Sequence, residues 1–208
     1  MTRPHQAVQP DSKRRTHILD ATEQLMLAEG YAAVTTRRVA KQLGLTPGLI
    51  HYYFPTTDQL LVAVYRRASG NTDERLMKAL ASAHPIQALW KVHADAACTG
   101  LALEFAALAN HRKVIRAELA ASFDRSRRMQ IDALAKLKLG RGLNLHGSRG
   151  LAVFLAGIAR LIVMERSLGA SRGHAEAKAI VAEWIRHLEG APRRRQRKVA
   201  ARGRGKAG

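Results

Sequence analysis

The sequence has 208 residues, a length that suits one domain or two small ones. Hydrophobic residues make up 47% and charged residues 25%, which excludes wholesale disorder. The single cysteine, Cys98, excludes an intrachain disulfide framework and a cysteine-based zinc cluster, and it fits a cytoplasmic location. No segment has the pattern of a secretory signal or a membrane span, so we expect no membrane partner. The formal charge of +19 favours a polyanionic partner.

The two ends of the chain are predicted to be disordered. Residues 192–208 hold 8 basic and 0 acidic side chains, with Val199 as the one branched aliphatic residue. Such a segment cannot bury enough apolar surface to fold, so 191–208 is predicted to be a basic tail and 1–10 a short arm. The tail either keeps the protein soluble or binds phosphates without regard to sequence, and both interpretations stay open.

The region between the ends is predicted to be helical, because alanine and leucine are abundant and strand-like alternation is missing. The expected helices cover residues 12–30, 36–43, 47–53, a fourth from 57 onward that could bend near Gly70, then 86–110, 112–139, 148–169 and 172–189, with a loop over 140–147. The predicted fold is all-α, with a three-helix unit over 11–55 and a larger helical bundle over 56–190.

Residues 35–54 form the most informative stretch, since two short helices follow each other across a tight turn. Thr35 and Thr46 are suited to cap the two helices, Pro47 suits a first helical position, and Gly44 supplies the positive φ of the turn. This is the pattern of a helix-turn-helix, whose second helix can enter the DNA major groove.

Several side chains around this motif are candidates for DNA contact. The solvent face of the second helix offers base-edge contacts, and the starts of the neighbouring helices offer hydroxyls, backbone N–H groups and cations for phosphates. The candidates are Lys13, Arg14, Thr35, Thr36, Arg37, Thr46, Pro47, Gly48, Leu49, His51, Tyr52, Thr56 and Thr57. Arg38 and Lys41 are interpreted either as further contacts or as a solvated face.

Residues 13–67 resemble the DNA-binding domain of the TetR family of transcriptional regulators. The resemblance rests on Ile18-Leu19-Asp20-Ala21, Glu29-Gly30-Tyr31, Thr35-Thr36, Val39-Ala40, Leu43-Gly44, Gly48, Ile50, Tyr53-Phe54-Pro55 and Leu60-Leu61. It implies a long fourth helix that leads into a bundle for ligand binding and dimerisation. Two positions depart from the family pattern: His51 stands where tyrosine is usual, and Thr57 stands where a lysine that touches the DNA backbone is usual.

The C-terminal region carries apolar stripes, for which core is the default interpretation. By resemblance the family binds a small molecule inside this bundle, and the large side chains that could line such a pocket are Trp90, Leu101, Phe105, Phe123, Met129 and Phe154. Four polar residues, His93, Thr99, Glu104 and Asn110, could orient a ligand or be ordinary core polars.

The last two helices are predicted to form a homodimer interface, since small residues that allow close helix approach alternate with apolar anchors. The expected anchors are Leu151, Ile158, Ile162, Ile180, Trp184 and Leu188. In the alternative interpretation, these two helices only complete the core of one protomer.

No catalytic, metal-binding or phosphate-binding set emerges from the sequence, and neither a cofactor nor an enzymatic activity is expected. The helix-turn-helix pattern predicts a DNA-binding transcriptional regulator. The resemblance implies a dimeric repressor that a small apolar or amphipathic ligand releases from a near-palindromic operator. The alternative is a non-specific nucleic-acid-binding protein driven by the basic tail.

Overall fold

The computed structural model describes residues 10–137 and 145–190. The predicted basic tail, nearly all of the predicted arm and most of the predicted loop lie outside these residues. The described helices are α1 (Pro10–Glu29), a 3₁₀ turn η1 (Tyr31–Ala33), α2 (Thr36–Leu43), α3 (Pro47–Tyr53), α4 (Thr57–Leu80), α5 (Pro85–His93), α6 (Ala96–Ala109), α7 (Lys113–Lys136), α8 (Leu145–Ser167) and α9 (His174–Glu189). The all-α prediction is confirmed.

One predicted helix was wrong, since residues 86–110 form two helices that meet at an angle of 55°. The break follows His93, and α6 begins with Asp95 as its cap, where the carboxylate accepts the backbone N–H of Cys98 at 2.9 Å. An aspartate before an apolar run is a helix-start signal, so the sequence did carry this information. By contrast, α4 runs through Gly70 as one helix over 24 residues.

The helix-turn-helix unit shares its core with the bundle. Ile18 of α1, Ile50 of α3 and Leu60 of α4 belong to the same buried cluster as Phe105 of α6 and Ile115 of α7. A second cluster joins the end of α4 to α5, α8 and α9. The helix-turn-helix unit therefore packs directly against α6 and α7, in addition to its covalent connection to the bundle through α4.

One described helix segment, Gly147–Ser167 of α8, is long and apolar enough to cross a bilayer by length and composition. It is in contact with α5, α6 and α7, and its inward side chains Leu151, Leu155 and Ala159 are buried against these helices. Its apolar composition thus has a structural use inside the bundle.

Candidate DNA-contact surface and ligand cavity

The two short helices begin at the predicted caps. Thr35 accepts the backbone N–H of Arg38 at 3.2 Å, and Thr46 accepts that of Leu49 at 3.4 Å. Gly44 ends α2 with φ of 63°, in the left-handed region that favours glycine. These contacts satisfy helix-end groups that would otherwise be unpaired, so the turn is specified locally.

Tertiary contacts fix the orientation of α3. Val39 and Ala40 of α2 and Ile50 of α3 are fully buried against α1 and α4. The opposite side of α3 faces solvent, and Tyr52 there is 74% exposed. An exposed tyrosine on a helix whose other face is buried has little part in folding, which makes it available to a partner.

The predicted DNA-contact residues lie at the exposed ends and faces of α1 to α4. Those that are exposed are Lys13, Arg14, Thr35, Arg37, Thr46, Pro47, Gly48, His51, Tyr52 and Thr56; those that are partly buried are Thr36, Leu49 and Thr57. A methyl group added at Gly48 would meet no atom within 4 Å. The fold of the protomer therefore leaves room for a side chain at this position.

His51 has a positional role that the sequence did not indicate. Its Nδ1 lies 3.3 Å from the carbonyl oxygen of Pro55, and its Nε2 lies 3.4 Å from the hydroxyl of Thr36. With the proton on Nδ1, the ring donates to Pro55 and accepts from Thr36. The imidazole thus ties the start of α2 to the turn between α3 and α4.

The basic side chains of this surface differ in their availability. Arg38 is paired with Glu29 at 2.6 Å, whereas Lys13, Arg14 and Arg37 form no ion pair within residues 10–137 and 145–190. Unpaired exposed cations can neutralise phosphates and release counterions, while a paired one must first give up its partner. Arg38 is thus a weaker candidate for phosphate contact than Lys13, Arg14 and Arg37.

A cavity of about 350 Å³ lies among α1, α4, α5, α6, α7 and α8. Three of the predicted pocket residues line it: Leu101, Phe105 and Phe123. The other three, Trp90, Met129 and Phe154, do not. Trp90 and Met129 pack against the second core cluster, and Phe154 lies on the outside of α8, because each stripe spans more than one helix face.

The cavity wall includes a buried polar pair. His93 Nε2 and Gln130 Oε1 are 3.0 Å apart, and Gln130 donates in turn to the backbone carbonyl of Ser126 at 3.1 Å. Burial lowers the pKa of His93 to about 4, although the bond to Gln130 acts in the opposite direction. The imidazole is therefore neutral near pH 7, with Nε2 donating to the Gln130 oxygen.

Two arginines reach the same cavity. Burial lowers the pKa of Arg160, and it lowers that of Arg127 with a further contribution from the charge of Arg160. The Arg160 guanidinium lies 5.5 Å from the ring centroid of Phe123, and Arg127 donates to the carbonyl oxygen of Ala152. Of the other polar candidates, Thr99 lines the cavity, whereas Glu104 and Asn110 do not.

The predicted interface anchors separate into two groups. Leu151, Ile162 and Leu188 are buried inside the protomer, and Ile158 packs against the core, so these four serve the bundle itself. Ile180 and Trp184 are 67% and 36% exposed. Helix periodicity identifies an apolar stripe but not which stripe faces the protomer's own core, and the interface itself stays a prediction.

The exposed apolar face contains residues that the interface prediction omitted. Phe154 and Trp184 stand edge to face with ring centroids 5.1 Å apart, so they join α8 to α9 at the surface. Val153 and Leu161 of α8 are also about half exposed. We name the set Val153, Phe154, Leu161, Ile180 and Trp184 the outer apolar face.

Comparison with known proteins agrees with this geometry. Residues 18–64 match the family described as "Bacterial regulatory proteins, tetR family". The N-terminal segment of the chain is therefore similar to the DNA-binding domain of this family. The HTH-type transcriptional regulator BetI of Rhizobium meliloti is 33% identical over 70 residues, which are 34% of this chain and 34% of that protein. The HTH-type transcriptional repressor KstR of Mycobacterium tuberculosis is 37% identical over 78 residues, 37% of this chain and 36% of that protein.

The similarity in fold extends further than the similarity in sequence. A putative transcriptional regulator from Saccharomonospora viridis, solved in complex with choline, superposes with a TM-score of 0.70 at 20% identity, covering 85% of this chain and 97% of that one. The aligned part spans only about a third of each curated relative. The relatives named here are transcriptional regulators, not enzymes.

Proposed function

We propose that this protein is a dimeric transcriptional regulator that binds a near-palindromic DNA operator and is released from it by a small molecule. The observation that carries the proposal is α3, which is capped at Thr46, buried through Ile50 and exposed through Tyr52. A short helix held in this way can enter a major groove, about 12 Å wide, without loss of core contacts.

Each part of the surface has a separate task in this proposal. Base edges are read from Gly48, Leu49 and Tyr52, where the open space at Gly48 allows the DNA to approach the backbone. Phosphates are bound by Arg37 and the α1 cations, and by N–H groups and hydroxyls at the starts of α2 and α4. Arg37, Lys13 and Arg14 supply charge that no carboxylate in the described chain takes up.

Dimerisation is assigned to the outer apolar face. Side chains as large as Phe154 and Trp184 are rarely clustered at a surface that stays exposed to water, so a partner surface is expected. Gly150 and Gly157 of α8 have no atom near a potential Cβ, which leaves space for another helix. To bind successive major grooves on one face of DNA, the two copies must hold their α3 helices about 34 Å apart, one helical turn of DNA.

The cavity is assigned to the effector. A ligand that prefers one arrangement of α4 and α6 over another must change operator affinity by the same factor as DNA changes ligand affinity. The structural neighbour from Saccharomonospora viridis was solved with choline bound, which supports the assignment of a small-molecule site to this fold. We favour a repressor over an activator, because the relative KstR is named a repressor. We also place its function in the cytoplasm.

The proposal is tested by selecting bound fragments from random DNA with the full-length protein. The expected product is an inverted repeat, bound at fixed salt at least about 10³-fold more tightly than random DNA. Tyr52→Ala should lose this preference, whereas the matched control Leu168→Ala should keep it, because Leu168 is a comparably exposed apolar residue just after α8. A ratio near unity for the unchanged protein would favour non-specific binding by the basic tail.

A further inference from the structure

The charged side chains of the cavity wall are unevenly paired. Glu23 is bound to Arg67 at 2.8 Å, and Arg75 is bound to Asp95 at 2.8 Å. Arg127 and Arg160 have no carboxylate partner within residues 10–137 and 145–190. The cavity therefore contains two cationic side chains whose charge the surrounding helices leave uncompensated.

One carboxylate of the wall could oppose these charges. Asp73 accepts the hydroxyl of Ser126 and forms no ion pair with Arg127 or Arg160. A single carboxylate does not balance two guanidiniums, and the neutral His93 adds no charge. Without a ligand, the part of the cavity wall formed by α7 and α8 thus carries a net positive charge.

Keeping two like charges close together in a partly buried site is unfavourable unless an anion or water compensates them. Guanidiniums present planar sets of donors that suit a carboxylate or another oxyanion. Arg127 already uses one donor on the Ala152 carbonyl, and Arg160 makes its contact with the face of Phe123. Both retain donors that an oxyanion can accept.

Another part of the wall is apolar. Leu101 and Phe105 of α6 and Leu27 of α1 contribute side chains on the side facing the helix-turn-helix unit. A volume of about 350 Å³ lies at the lower end of the range for small-molecule sites, so the ligand has a short apolar part.

We infer that the cavity binds a small amphipathic anion, whose head group lies against Arg127 and Arg160 and whose apolar part lies along Leu101 and Phe105. The inference rests on the proposed function, because it names the chemical class of the effector for the same cavity.

The first test compares three probes that share an eight-carbon chain: octanoate, octanol and octyltrimethylammonium. Each is titrated into the full-length protein by calorimetry at pH 7.5 and fixed salt. Octanoate should bind at least about tenfold more tightly than octanol, and the ammonium ion more weakly than both, because its charge meets the arginines. Equal affinities, or tightest binding of the ammonium ion, would overturn the inference.

The second test uses paired variants of α8. Arg160→Gln should reduce octanoate affinity about tenfold or more and leave octanol affinity within about twofold. Arg166→Gln is the matched control, because Arg166 lies on the same helix, is exposed and does not line the cavity. Arg127→Gln should repeat the selective loss if Arg160→Gln proves unstable in thermal melts. Equal losses for octanoate and octanol in both cavity variants would contradict an anion site.

Operator selection on the same preparations separates this inference from the proposed function. A protein that selects an operator but binds the ammonium ion as well as octanoate retains the proposed function and refutes the anion site. A protein that binds octanoate through Arg160 but selects no operator supports the anion site and refutes the regulatory role.

Discussion

The carboxylate of Glu104 in α6 accepts the backbone N–H of Tyr31 at 2.7 Å, 73 positions away in the chain. Tyr31 begins η1, one residue after α1, and Glu104 lies one turn after the cavity residue Leu101 and next to the cavity residue Phe105. A charge-assisted bond thus connects the helix that lines the cavity to the helix-turn-helix unit. A ligand that moves α6 would act on this contact without touching the DNA-contact surface.

Removing the acceptor should destabilise the protein. Glu104→Ala should lower the free energy of unfolding by about 1–3 kcal/mol, since the Tyr31 N–H loses its partner. Glu104→Gln keeps a carbonyl oxygen that can accept the bond and should cost less. Urea denaturation monitored by circular dichroism measures both values, and equal losses in the two variants would show that the bond adds nothing.

Gly48→Ala should separate folding from DNA binding. A methyl group meets no atom of the protomer, so the free energy of unfolding should stay the same or rise by up to about 1 kcal/mol. Operator affinity should fall about tenfold or more, because the added group enters the space reserved for DNA.

The matched control for Gly48→Ala is Gly70→Ala in α4. A Cβ at position 70 also meets no atom within 4 Å, but this position lies outside the proposed DNA-contact surface. Fluorescence anisotropy with the selected operator should detect a loss only for the Gly48 variant. Unchanged affinity in both variants would remove Gly48 from the contact surface.

Trp184→Arg should dissociate the proposed dimer, because an unpaired charge would replace an aromatic anchor beside Phe154. Val114→Arg is the control, since Val114 is an exposed apolar residue of α7 outside the outer apolar face. Sedimentation equilibrium should give half the mass for the Trp184 variant alone. A dimeric Trp184 variant that remains folded would place the interface elsewhere.

His93 should make stability depend on pH. Its pKa is lowered by burial to about 4 in the folded protein, against about 6.5 when unfolded. The unfolded chain therefore binds the proton first, and stability is constant above about pH 6.5 and falls as the pH drops toward 4. The loss attributable to His93 reaches about 3 kcal/mol at pH 4.

Paired denaturation curves between pH 7.5 and 4.5 isolate this contribution, with steps of about one unit. His93→Asn cannot take up the proton, so its stability should fall less steeply than that of the unchanged protein over this interval. The hydrogen bond from the Cys98 N–H lowers the pKa of Asp95, and the bond from Arg66 lowers that of Glu118. The stability that these two carboxylates contribute is lost in acid in both proteins, so it cancels when the two curves are compared. Parallel curves would mean that His93 is accessible to protons.

Removal of residues 192–208 should change the salt dependence of binding and not its sequence preference. Its 8 basic side chains could contribute up to about 7 to the slope of log affinity against log salt, if each contacts one phosphate. Anisotropy at several salt concentrations measures this slope. An unchanged slope would assign the tail to solubility, and a lost preference would assign recognition to the tail.

The local sequence determined the helix-turn-helix unit because its signals act over a few residues. Thr35, Thr46 and Thr56 each cap a helix by accepting an N–H group three positions ahead, and Gly44 provides the turn between α2 and α3. The predicted bounds of α2 and α3 agree with the structure for the same reason. The break before α6 was readable in principle from Asp95.

Only the tertiary structure decided which side of each later helix faces the core, the cavity or solvent. Leu151 and Phe154 stand three positions apart on α8, yet one is buried and the other joins Trp184 at the surface. Arg127 and Arg160 are 33 positions apart in the chain and meet at one cavity. Helix periodicity fixes the angular spacing of side chains along one helix, but the rotation of that helix against its neighbours is set by contacts distant in sequence.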